Sequence, residues 1–411
     1  MEGEKQTGRI TGEALHQENL PETRVAMDHL LNADETQLVE TARMFATEKI
    51  APSAADWDLN RTVPVTTFQE AAAVGLTGVL VPKAVGGQGV SHLAAAKILE
   101  ELAGACFAFT FGLWVHNNML NSIARNGSPD QIERYVPPML AGKRIAAFCL
   151  TEPGAGSDAA AITTLAEKSV DGWHLSGEKA WVTNGVRADV FGVYAQTDAA
   201  RGWRGIASFL MAGDTPGLER TQPYTMLGGH ALGATGLKLT NCPVPKADML
   251  FGPGDGFKAA MRGINMARTF VGAGCCGIVN ACLKTALAYG AKRHAFGKPI
   301  LSFQGLQWEL ADVATDLEAA RLLTYQAAMA LDRGENAIMQ AAHAKKFASR
   351  VALTGVSRCM QVMGAEGLRT ESPFARHLDM AKMAQYMDGT TEIQNIVISR
   401  TLLKEYGIDV G

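Results

Sequence analysis

The spacing of hydrophobic and polar residues changes twice along the chain. From residue 34 to about residue 140 apolar residues recur every three or four positions, as Leu38 and Ala42 do in ETQLVETARMFATEKIA, and this spacing predicts helices. Asp34 is predicted to cap the first helix, and Ser91 is predicted to cap a second helix that begins HLAAAKILEELA. The N-terminal part of the chain is therefore expected to be helical.

Between about residues 147 and 244 the pattern takes a period of two. Short stretches such as WHLSGEKAWVTN, VFGVYAQT, IASFLMAG and GLKLTN are separated by Gly, Asp and Asn, which predicts a small antiparallel β domain. After GPGDG the helical spacing returns in four long segments, of which the last ends near Leu403. Long segments with short Gly-bearing connections are typical of an antiparallel four-helix bundle.

The predicted organisation is mainly α with a β insert. We expect a loose N-terminal tail at residues 1–33, an N-terminal helical domain at 34–146, a middle β domain at 147–250 and a C-terminal four-helix bundle at 251–411. A β insert between two helical parts leaves a crevice, and crevices between domains are where ligands preferentially bind.

The composition is that of a folded protein with a large core. Of the 411 residues 47% are hydrophobic and 19% are charged. The formal net charge is −3 and no long run of Lys and Arg occurs, which argues against a nucleic-acid partner or a membrane surface. No apolar stretch reaches the roughly 20 residues that a bilayer span needs. The first 26 residues lack the apolar run of a signal peptide, and a cytoplasmic location is expected.

Cysteine and histidine patterns predict neither a disulfide framework nor a metal site. The seven cysteines form no CxxC pair, which favours buried free thiols in a reducing compartment. The nine histidines are scattered, with no two at metal-ligand spacing beside a carboxylate, so no metal is expected.

Two segments in the β region carry the clearest candidate chemistry. In FCLTEPGAGSD, Gly154 and Gly156 leave backbone N–H groups unobstructed, so the loop can approach a planar ring or a phosphate closely. EKAWVTNG follows, with Trp181 and Thr183 predicted on one face of a strand. Taken singly, the loop also fits a tight connection into the β domain, and Trp181 fits a buried core residue.

Five motifs in order resemble the acyl-CoA dehydrogenase family. They are TEPGAGSD with GEKAWVTNG, CPVPKADMLFG with GDGF behind it, RHAFGKPILSFQ and YMDGTTEIQNIVISR, and the match is collinear from about residue 34 to about residue 405. The resemblance implies an FAD enzyme with an N-terminal helical domain, a middle β barrel and a C-terminal four-helix bundle. It also implies a homotetramer, an acyl-CoA or acyl-carrier-protein thioester as substrate and an electron-transferring flavoprotein as electron acceptor.

The resemblance assigns cofactor contacts residue by residue. The expected FAD contacts are Phe148, Leu150, Thr151, Gly156, Ser157, Trp181, Val182, Thr183, Arg293, Phe296, Gln304, Gln361, Val362, Gly364, Ala365, Thr390 and Glu392. Arg293 takes the place of an arginine that pairs with the FAD pyrophosphate across a dimer interface, although it also fits an exposed cation at a helix end. Ala295 stands where many relatives have Thr, so one hydroxyl contact is expected to be missing.

The catalytic base is expected at Asp388. In the family a carboxylate removes the proton α to the thioester carbonyl, and many members carry Glu where this chain has Asp in MDGTTE. Asp is one methylene shorter, which reduces the reach by about 1.5 Å, a distance that can cost 10²-fold in rate. Burial with the acyl chain should raise the pKa of Asp388. Asp388 before Gly-Thr-Thr-Glu also fits a helix N-cap.

Other positions define the surroundings of this base. The resemblance implies substrate contacts at Ser157, Asn265, Arg268 and Gly389, and it implies that Arg268 orients the loop of Asp388. Some branches of the family carry the base directly before that arginine, where this chain has Ala267. Asn395 stands where relatives usually have an arginine, seven residues after the base.

The acyl pocket is expected in the uncharged aromatic stretch at residues 102–124. Its aromatic residues favour a short, branched or cyclic acyl group, although each of them also fits ordinary helix packing. The absence of Arg there argues against dicarboxylyl-CoA substrates. Two other readings remain open: a flavin oxidase or oxygenase resembling nitroalkane oxidase, and a non-catalytic scaffold that has lost FAD.

Overall fold

The computed structural model describes residues 27–408, so most of the tail expected at residues 1–33 lies outside the described part. Five helices come first, then eight strands, then five more helices that contain a short two-stranded ribbon. The first helices are α1 Ala33–Phe45, α2 Ala54–Leu59, α3 Val65–Ala73, α4 His92–Asn126 and α5 Pro129–Leu140. The later helices are α6 Gly256–Lys292, α7 Gln304–Asp332, α8 Ile338–Met363, α9 Pro373–Met383 and α10 Thr391–Glu405.

One of the two predicted helix caps is wrong. Helix α1 is capped by Asn32, whose side chain accepts from the backbone N–H of Glu35 over 3.0 Å, while the Glu35 carboxylate accepts from the Asn32 N–H over 3.1 Å. This reciprocal capping box satisfies two N–H groups at once, which Asp34 alone does not do. The Ser91 cap is confirmed, because its hydroxyl accepts from the Ala94 N–H over 3.1 Å.

Helices α4 and α6 pack in close contact in the middle of the molecule. A Cβ atom on Gly277 would lie 2.2 Å from the backbone oxygen of Glu100, so only glycine allows this approach. Both helices are long and apolar enough to cross a membrane by length and composition. However, 78% and 67% of their most apolar windows are buried in the fold, and buried core helices pass the same test.

The middle domain is one sheet of eight strands. The strands are β1 Ala146–Cys149, β2 Leu165–Lys168, β3 Gly172–Val182, β4 Val190–Gln196, β5 Ile206–Ala212, β6 Leu218–Arg220, β7 Thr235–Pro245 and β8 Met249–Phe251. Their order is β6-β7-β3-β2-β4-β5-β8, and β1 pairs with β4. Strand β4 is buried along its whole length.

This sheet differs from the expected antiparallel barrel in two ways. Within residues 27–408 the strand path ends at β6 and β8, which do not pair with each other, so the sheet is open. β6 is only three residues long and pairs with β7 alone, so it gives no edge on which a barrel closes. In addition, β1 runs parallel to β4, because the chain enters the sheet from the helical domain beside that strand.

The C-terminal bundle has three long helices followed by two shorter ones. The last of the four predicted segments is divided, because the chain leaves α9 at Met383 and re-enters a helix at Thr391. Helices α6 and α8 run in the same direction: Gly272 lies against Ala344, and further along Gly355 lies against Val279. The C-terminal ends of α6 and α8 therefore share one end of the bundle.

Candidate active site

A turn between α9 and α10 carries Asp388. Asp388 and Gly389 both have left-handed backbones, with φ of 51° and 95°. Carboxylate atom Oδ2 of Asp388 is buried and makes no hydrogen bond within the described residues. Burial raises the pKa of Asp388 to about 6, although the charges of Lys345 and Arg268 oppose the shift. A buried carboxyl without a partner is available for chemistry.

The N-cap of α10 is Thr390, so Asp388 does not have that structural role. The Thr390 hydroxyl accepts from the Ile393 N–H over 3.4 Å. Glu392 lies exposed in the first turn of the same helix, where hydrogen bonds from its own backbone N–H and from the Thr390 hydroxyl lower its pKa. The N-terminus of α10 thus places two of the expected FAD contacts beside the proposed base.

Arg268 joins helix α6 to this turn. Its Nε atom donates to the backbone oxygen of Asp388 over 3.0 Å, and its Nη1 atom donates to Asn265 Oδ1 over 2.7 Å. Arg268 is buried, and burial lowers the pKa of its guanidinium. The structure thus brings Asn265, Arg268, Asp388 and Gly389 together, as the resemblance implied.

Two further side chains hold the same turn, and neither was identified from the sequence. Lys345 of α8 is 0% exposed and donates to the backbone oxygens of Gly389 and Gln385. Gln394 is also buried, and its Nε2 donates to the backbone oxygen of Gly389 over 3.0 Å. The only sequence signal was a polar residue on an otherwise apolar helix face, as for Lys345 in AAHAKKFAS.

The Gly-rich loop is fixed by a buried ion pair. Glu152 accepts from the N–H groups of Thr163 and Thr164 over 2.7 and 2.9 Å, and from Lys179 Nζ over 2.8 Å. Burial alone would raise the pKa of Glu152, but Lys179 and the hydrogen bonds lower it to about 2. Lys179 also donates to the backbone oxygen of Leu150 over 3.1 Å. These bonds lock the loop onto strand β3.

The same strand brings the two expected FAD segments together. The Ala180 N–H donates to the backbone oxygen of Thr151 over 2.9 Å, which places Thr151 next to Trp181. Trp181 has φ of 57° and is 60% exposed, and its ring lies 4.3 Å from that of Tyr224. Trp181 is therefore not a core residue. The expected strand alternation from Trp181 to Thr183 also stops, because β3 ends at Val182.

The remaining expected FAD contacts lie at the other end of the bundle. Arg293 follows the last residue of α6, roughly 37 Å beyond Arg268 at 1.5 Å per residue. Phe296 is 95% exposed in the connection from α6 to α7, and Gln304 begins α7. The C-terminal end of α8 adds Gln361, Val362, Gly364 and Ala365. Within one chain, this group cannot contact a ligand at Asp388.

A cavity of about 160 Å³ lies between α4, α6 and the sheet. Phe148 and Tyr194 line it on the sheet side, and Met266 lines it on α6. Arg125 and Arg262 also line it, so two cations reach this crevice although residues 102–124 carry none. The sequence argument against acidic acyl groups is weakened by this arrangement.

Three domain families match the chain in order. The acyl-CoA dehydrogenase N-terminal domain matches residues 32–143, the middle domain matches residues 147–242 and the C-terminal domain matches residues 254–403. The chain belongs to the acyl-CoA dehydrogenase family. This membership confirms the fold that the resemblance implied, apart from the open sheet.

Similar proteins named acyl-CoA dehydrogenases show that the chain is an enzyme of this class. It is 38% identical over 370 residues to the mitochondrial short-chain specific acyl-CoA dehydrogenase of Homo sapiens, covering 90% of each chain. The structure of butyryl-CoA dehydrogenase from Megasphaera elsdenii matches with a TM-score of 0.88 and 34% identity, covering 91% of this chain and 99% of that one. These similarities leave no support for a scaffold without activity.

Two more solved structures concern flavin. A structure described as the electron transferring flavoprotein of Acidaminococcus fermentans matches with a TM-score of 0.89 and 34% identity, covering 92% of this chain and 100% of that one. A glutaryl-CoA dehydrogenase of Mycobacterium smegmatis in complex with FADH2 matches with a TM-score of 0.87 and 29% identity, covering 92% and 97%.

FAD is the cofactor of the acyl-CoA dehydrogenase family and of this enzyme. The residues present fit it. Trp181 offers an exposed aromatic face, and a Cβ atom on Gly154 or Gly156 would meet nothing within 4 Å, so the loop has room for a ligand. The hydroxyls of Thr151 and Ser157 lie on this loop as donors for a polar ring.

Proposed function

We propose that this enzyme converts short-chain acyl-CoA thioesters to 2-enoyl-CoA, and that Asp388 removes the α proton. The observation that carries the proposal is the Asp388 carboxylate, which is buried and leaves Oδ2 without a hydrogen-bond partner. A pKa of about 6 keeps most of the carboxyl ionised at pH 7 and makes it a stronger base than an exposed Asp.

The turn also offers a donor for the thioester oxygen. Within residues 27–408 the backbone N–H of Asp388 makes no hydrogen bond, so it is available to an oxygen that gains charge as the α proton leaves. Arg268 donates to the backbone oxygen of the same residue and thereby restrains the turn that presents this N–H. Ser157 and Asn265 are proposed to bind the carrier part of the substrate.

The reaction removes two hydrogens and forms one double bond. The α C–H bond breaks, its proton passes to an Asp388 carboxylate oxygen, and its electron pair forms the bond between the α and β carbons. When bound, FAD supplies the acceptor for the hydride that leaves the β carbon. Oδ2 of this carboxylate is buried in the described residues, so the proposed proton transfer takes place at an oxygen shielded from solvent.

A short acyl group fits the packing of α4 against α6. The rings of Trp114 and Phe270 lie 3.9 Å apart and both residues are buried, so they fill space between the two helices. The similarity to the short-chain and butyryl-CoA enzymes supports the same substrate class.

The expected FAD contacts at the end of the bundle away from Asp388 support an oligomer in which subunits share cofactor sites. Arg293, Phe296 and Gln304 cannot reach the Asp388 site of their own chain, so we propose that they bind FAD in a neighbouring subunit. A homotetramer is the proposed assembly. An electron-transferring flavoprotein is the proposed electron acceptor, which the match to a structure described by that name supports.

A substrate panel under anaerobic conditions tests this function. Butyryl-CoA should bleach the flavin fastest, ahead of octanoyl-CoA, and the product should be the 2-enoyl-CoA by mass spectrometry. The panel includes isobutyryl-CoA as a branched acyl group and glutaryl-CoA as an acidic acyl group. Butyryl acyl-carrier protein tests an alternative carrier. Wild-type kcat/KM should fall tenfold per pH unit below about pH 6 as Asp388 is protonated.

Asp388→Asn should retain FAD and fail to bleach with every substrate. Asp171→Asn is the matched control, because Asp171 is an exposed residue in the β domain, and it should bleach normally. Normal bleaching in Asp388→Asn would overturn the assignment of the base. Rapid peroxide formation in air, without need of an electron-transferring flavoprotein, would instead favour the oxidase reading.

A further inference from the structure

One buried lysine holds both sides of the turn that carries Asp388. Lys345 lies in the first part of α8 and is fully buried. Its Nζ donates to the backbone oxygen of Gln385 over 3.4 Å, three residues before Asp388, and to the backbone oxygen of Gly389, directly after it. The ammonium therefore spans the segment from Gln385 to Gly389, which contains the proposed base.

The Lys345 ammonium and the backbone carbonyls of this turn stabilise each other. A buried ammonium without compensation is strongly unfavourable, and within residues 27–408 Lys345 forms no ion pair within 4.0 Å. The two carbonyl oxygens take the place of water around it. Asp388 in turn adopts a left-handed backbone, which is unfavourable for a residue other than glycine unless surrounding contacts hold it.

Charged and titratable groups face Lys345 from two elements. Helix α6 contributes Arg268 and Cys275, and the C-terminal segment contributes Asp388 and Glu392. Burial lowers the pKa of Lys345 to about 8, and the negative charge of Asp388 opposes that shift. Lys345 is therefore mostly protonated at pH 7, and its charge favours the ionised form of Asp388.

We infer that Lys345 is a positioning residue for the reaction: it fixes the Asp388 turn through two backbone carbonyls and sets the charge around the carboxylate. The inference rests on the proposed role of Asp388 as the base. Because Lys345 is fully buried, its proposed role is exerted through the turn and not on the substrate. It acts together with Arg268, which holds the Asp388 backbone oxygen from α6.

A substrate without β hydrogens separates proton transfer from flavin reduction. In 3,3-dimethylbutanoyl-CoA the α carbon carries hydrogens and the β carbon carries none, so the holoenzyme in D₂O exchanges α hydrogen for deuterium without dehydrogenation. Lys345→Met should slow this exchange roughly 10- to 100-fold. The pH midpoint of exchange should rise by about one unit, because the carboxylate loses a neighbouring positive charge.

Lys346→Met is the matched control, since Lys346 is the next residue of α8 and is exposed. It should exchange at the wild-type rate with the wild-type midpoint. FAD content and melting temperature are measured for each variant, and if Lys345→Met does not fold, Lys345→Gln keeps a donor and removes the charge. The midpoint should rise in that variant too.

The outcomes separate this inference from the proposed function. If Asp388→Asn abolishes exchange while a folded Lys345 variant keeps the wild-type rate and midpoint, the role of Lys345 is wrong and the base assignment stands. If Asp388→Asn exchanges normally, the base assignment fails, whatever Lys345 does. A slower rate with an unchanged midpoint would mean that Lys345 is only a structural support, and the charge part of the inference would be rejected.

Discussion

Arg268 donates a hydrogen bond over 3.0 Å to the backbone oxygen of Asp388 and leaves the carboxylate of that residue free. The guanidinium thus positions the base without forming an ion pair that would neutralise it. A direct pair would lower the pKa of the carboxyl and weaken it as a base. With the bond on the backbone, burial dominates and the pKa rises to about 6.

We expect Arg268→Gln to lower kcat and to raise the acid midpoint of the reaction. The variant loses the guanidinium that holds the turn and one positive charge near Asp388, so kcat should fall about 10²-fold and the acid midpoint should move upward. Steady-state kinetics from pH 5 to 9 measure both effects. Arg350→Gln, at an exposed position of α8, is the control and should change neither. An Arg268 variant with wild-type kcat would show that the turn does not need this bond.

We expect Asp388→Asn to stabilise the folded enzyme at pH 8. The folded pKa of about 6 lies above the ordinary value of 3.8, so the folded chain binds this proton more tightly than the unfolded chain does. Asp388 therefore weakens the fold once the pH rises through about 6, and this penalty disappears below about pH 4. The gain in Asp388→Asn should be about 1–3 kcal/mol at pH 8. Melting temperatures at pH 8 and pH 4 test it, and a variant that melts earlier at pH 8 contradicts it.

Much of the fold could be predicted from sequence periodicity, and its failures have local causes. The order of helices, strands and helices follows from spacings of 3.6 and 2 residues, which burial imposes. The predicted cap at Asp34 is wrong because Asn32 and Glu35 form a reciprocal capping box. The preference of a single residue type for the N-cap position does not take such a pair into account. The last bundle segment was predicted as one, whereas the chain leaves α9 at Met383 and begins α10 at Thr391, two residues after the Asp388–Gly389 turn.

The site was predicted unevenly for a similar reason. Asp388 was predicted from a motif and Arg268 from the family resemblance, whereas Lys345 and Gln394 act through contacts to backbone oxygens of the turn. Such contacts exist only once α8 and α10 have packed around the turn. Trp181 taken singly also fitted a core residue, but a left-handed backbone at the end of β3 turns it outward, and it is 60% exposed.

We expect Trp114→Ala to shift substrate preference toward longer acyl chains. Trp114 packs against Phe270 between α4 and α6, so removing the indole opens space there. The ratio of kcat/KM for octanoyl-CoA to that for butyryl-CoA should rise at least about tenfold, since each added methylene that finds a pocket contributes about 1 kcal/mol or more. Stability should fall by about 3–5 kcal/mol.

Phe107→Ala is the control for that loss of stability. Phe107 is buried on the same helix and packs against Gly274 of α6. It should destabilise the enzyme by a similar amount and leave the substrate ratio unchanged. Equal shifts of the ratio in both variants would mean that loosened packing, rather than a specific pocket at Trp114, changes the preference.

We expect Gly277→Ala to destabilise the contact between α4 and α6. The new methyl group would lie 2.2 Å from the backbone oxygen of Glu100, and neither helix backbone can move away without disturbing the core. The cost should be about 1–3 kcal/mol. Gly305→Ala is the control, because a Cβ atom at that position in α7 meets nothing within 4 Å. Denaturant melts of both variants decide it, and an unchanged midpoint in Gly277→Ala would contradict the close approach.

The position of Arg293 leads to a test with mixed oligomers. If Arg293 binds FAD in the partner's site, a chain with Arg293→Ala and a chain with Asp388→Asn are both inactive alone for different reasons. In a mixed dimer, the Asp388 of the first chain meets the Arg293 of the second, and one complete site forms. Co-expression with two affinity tags isolates this mixed species, which should recover about half of the wild-type activity per dimer.

The same mixed species also tests the alternative in which Arg293 binds FAD in its own chain. If Arg293 served the site of its own chain, one site would lack the arginine and the other would lack the base, so activity would stay at the level of the single variants. The distance along α6, roughly 37 Å from Arg268 to Arg293, is the physical reason to expect recovery. A rigid helix of that length cannot bring both residues to one ligand in one chain, whereas a second copy can supply the missing arginine.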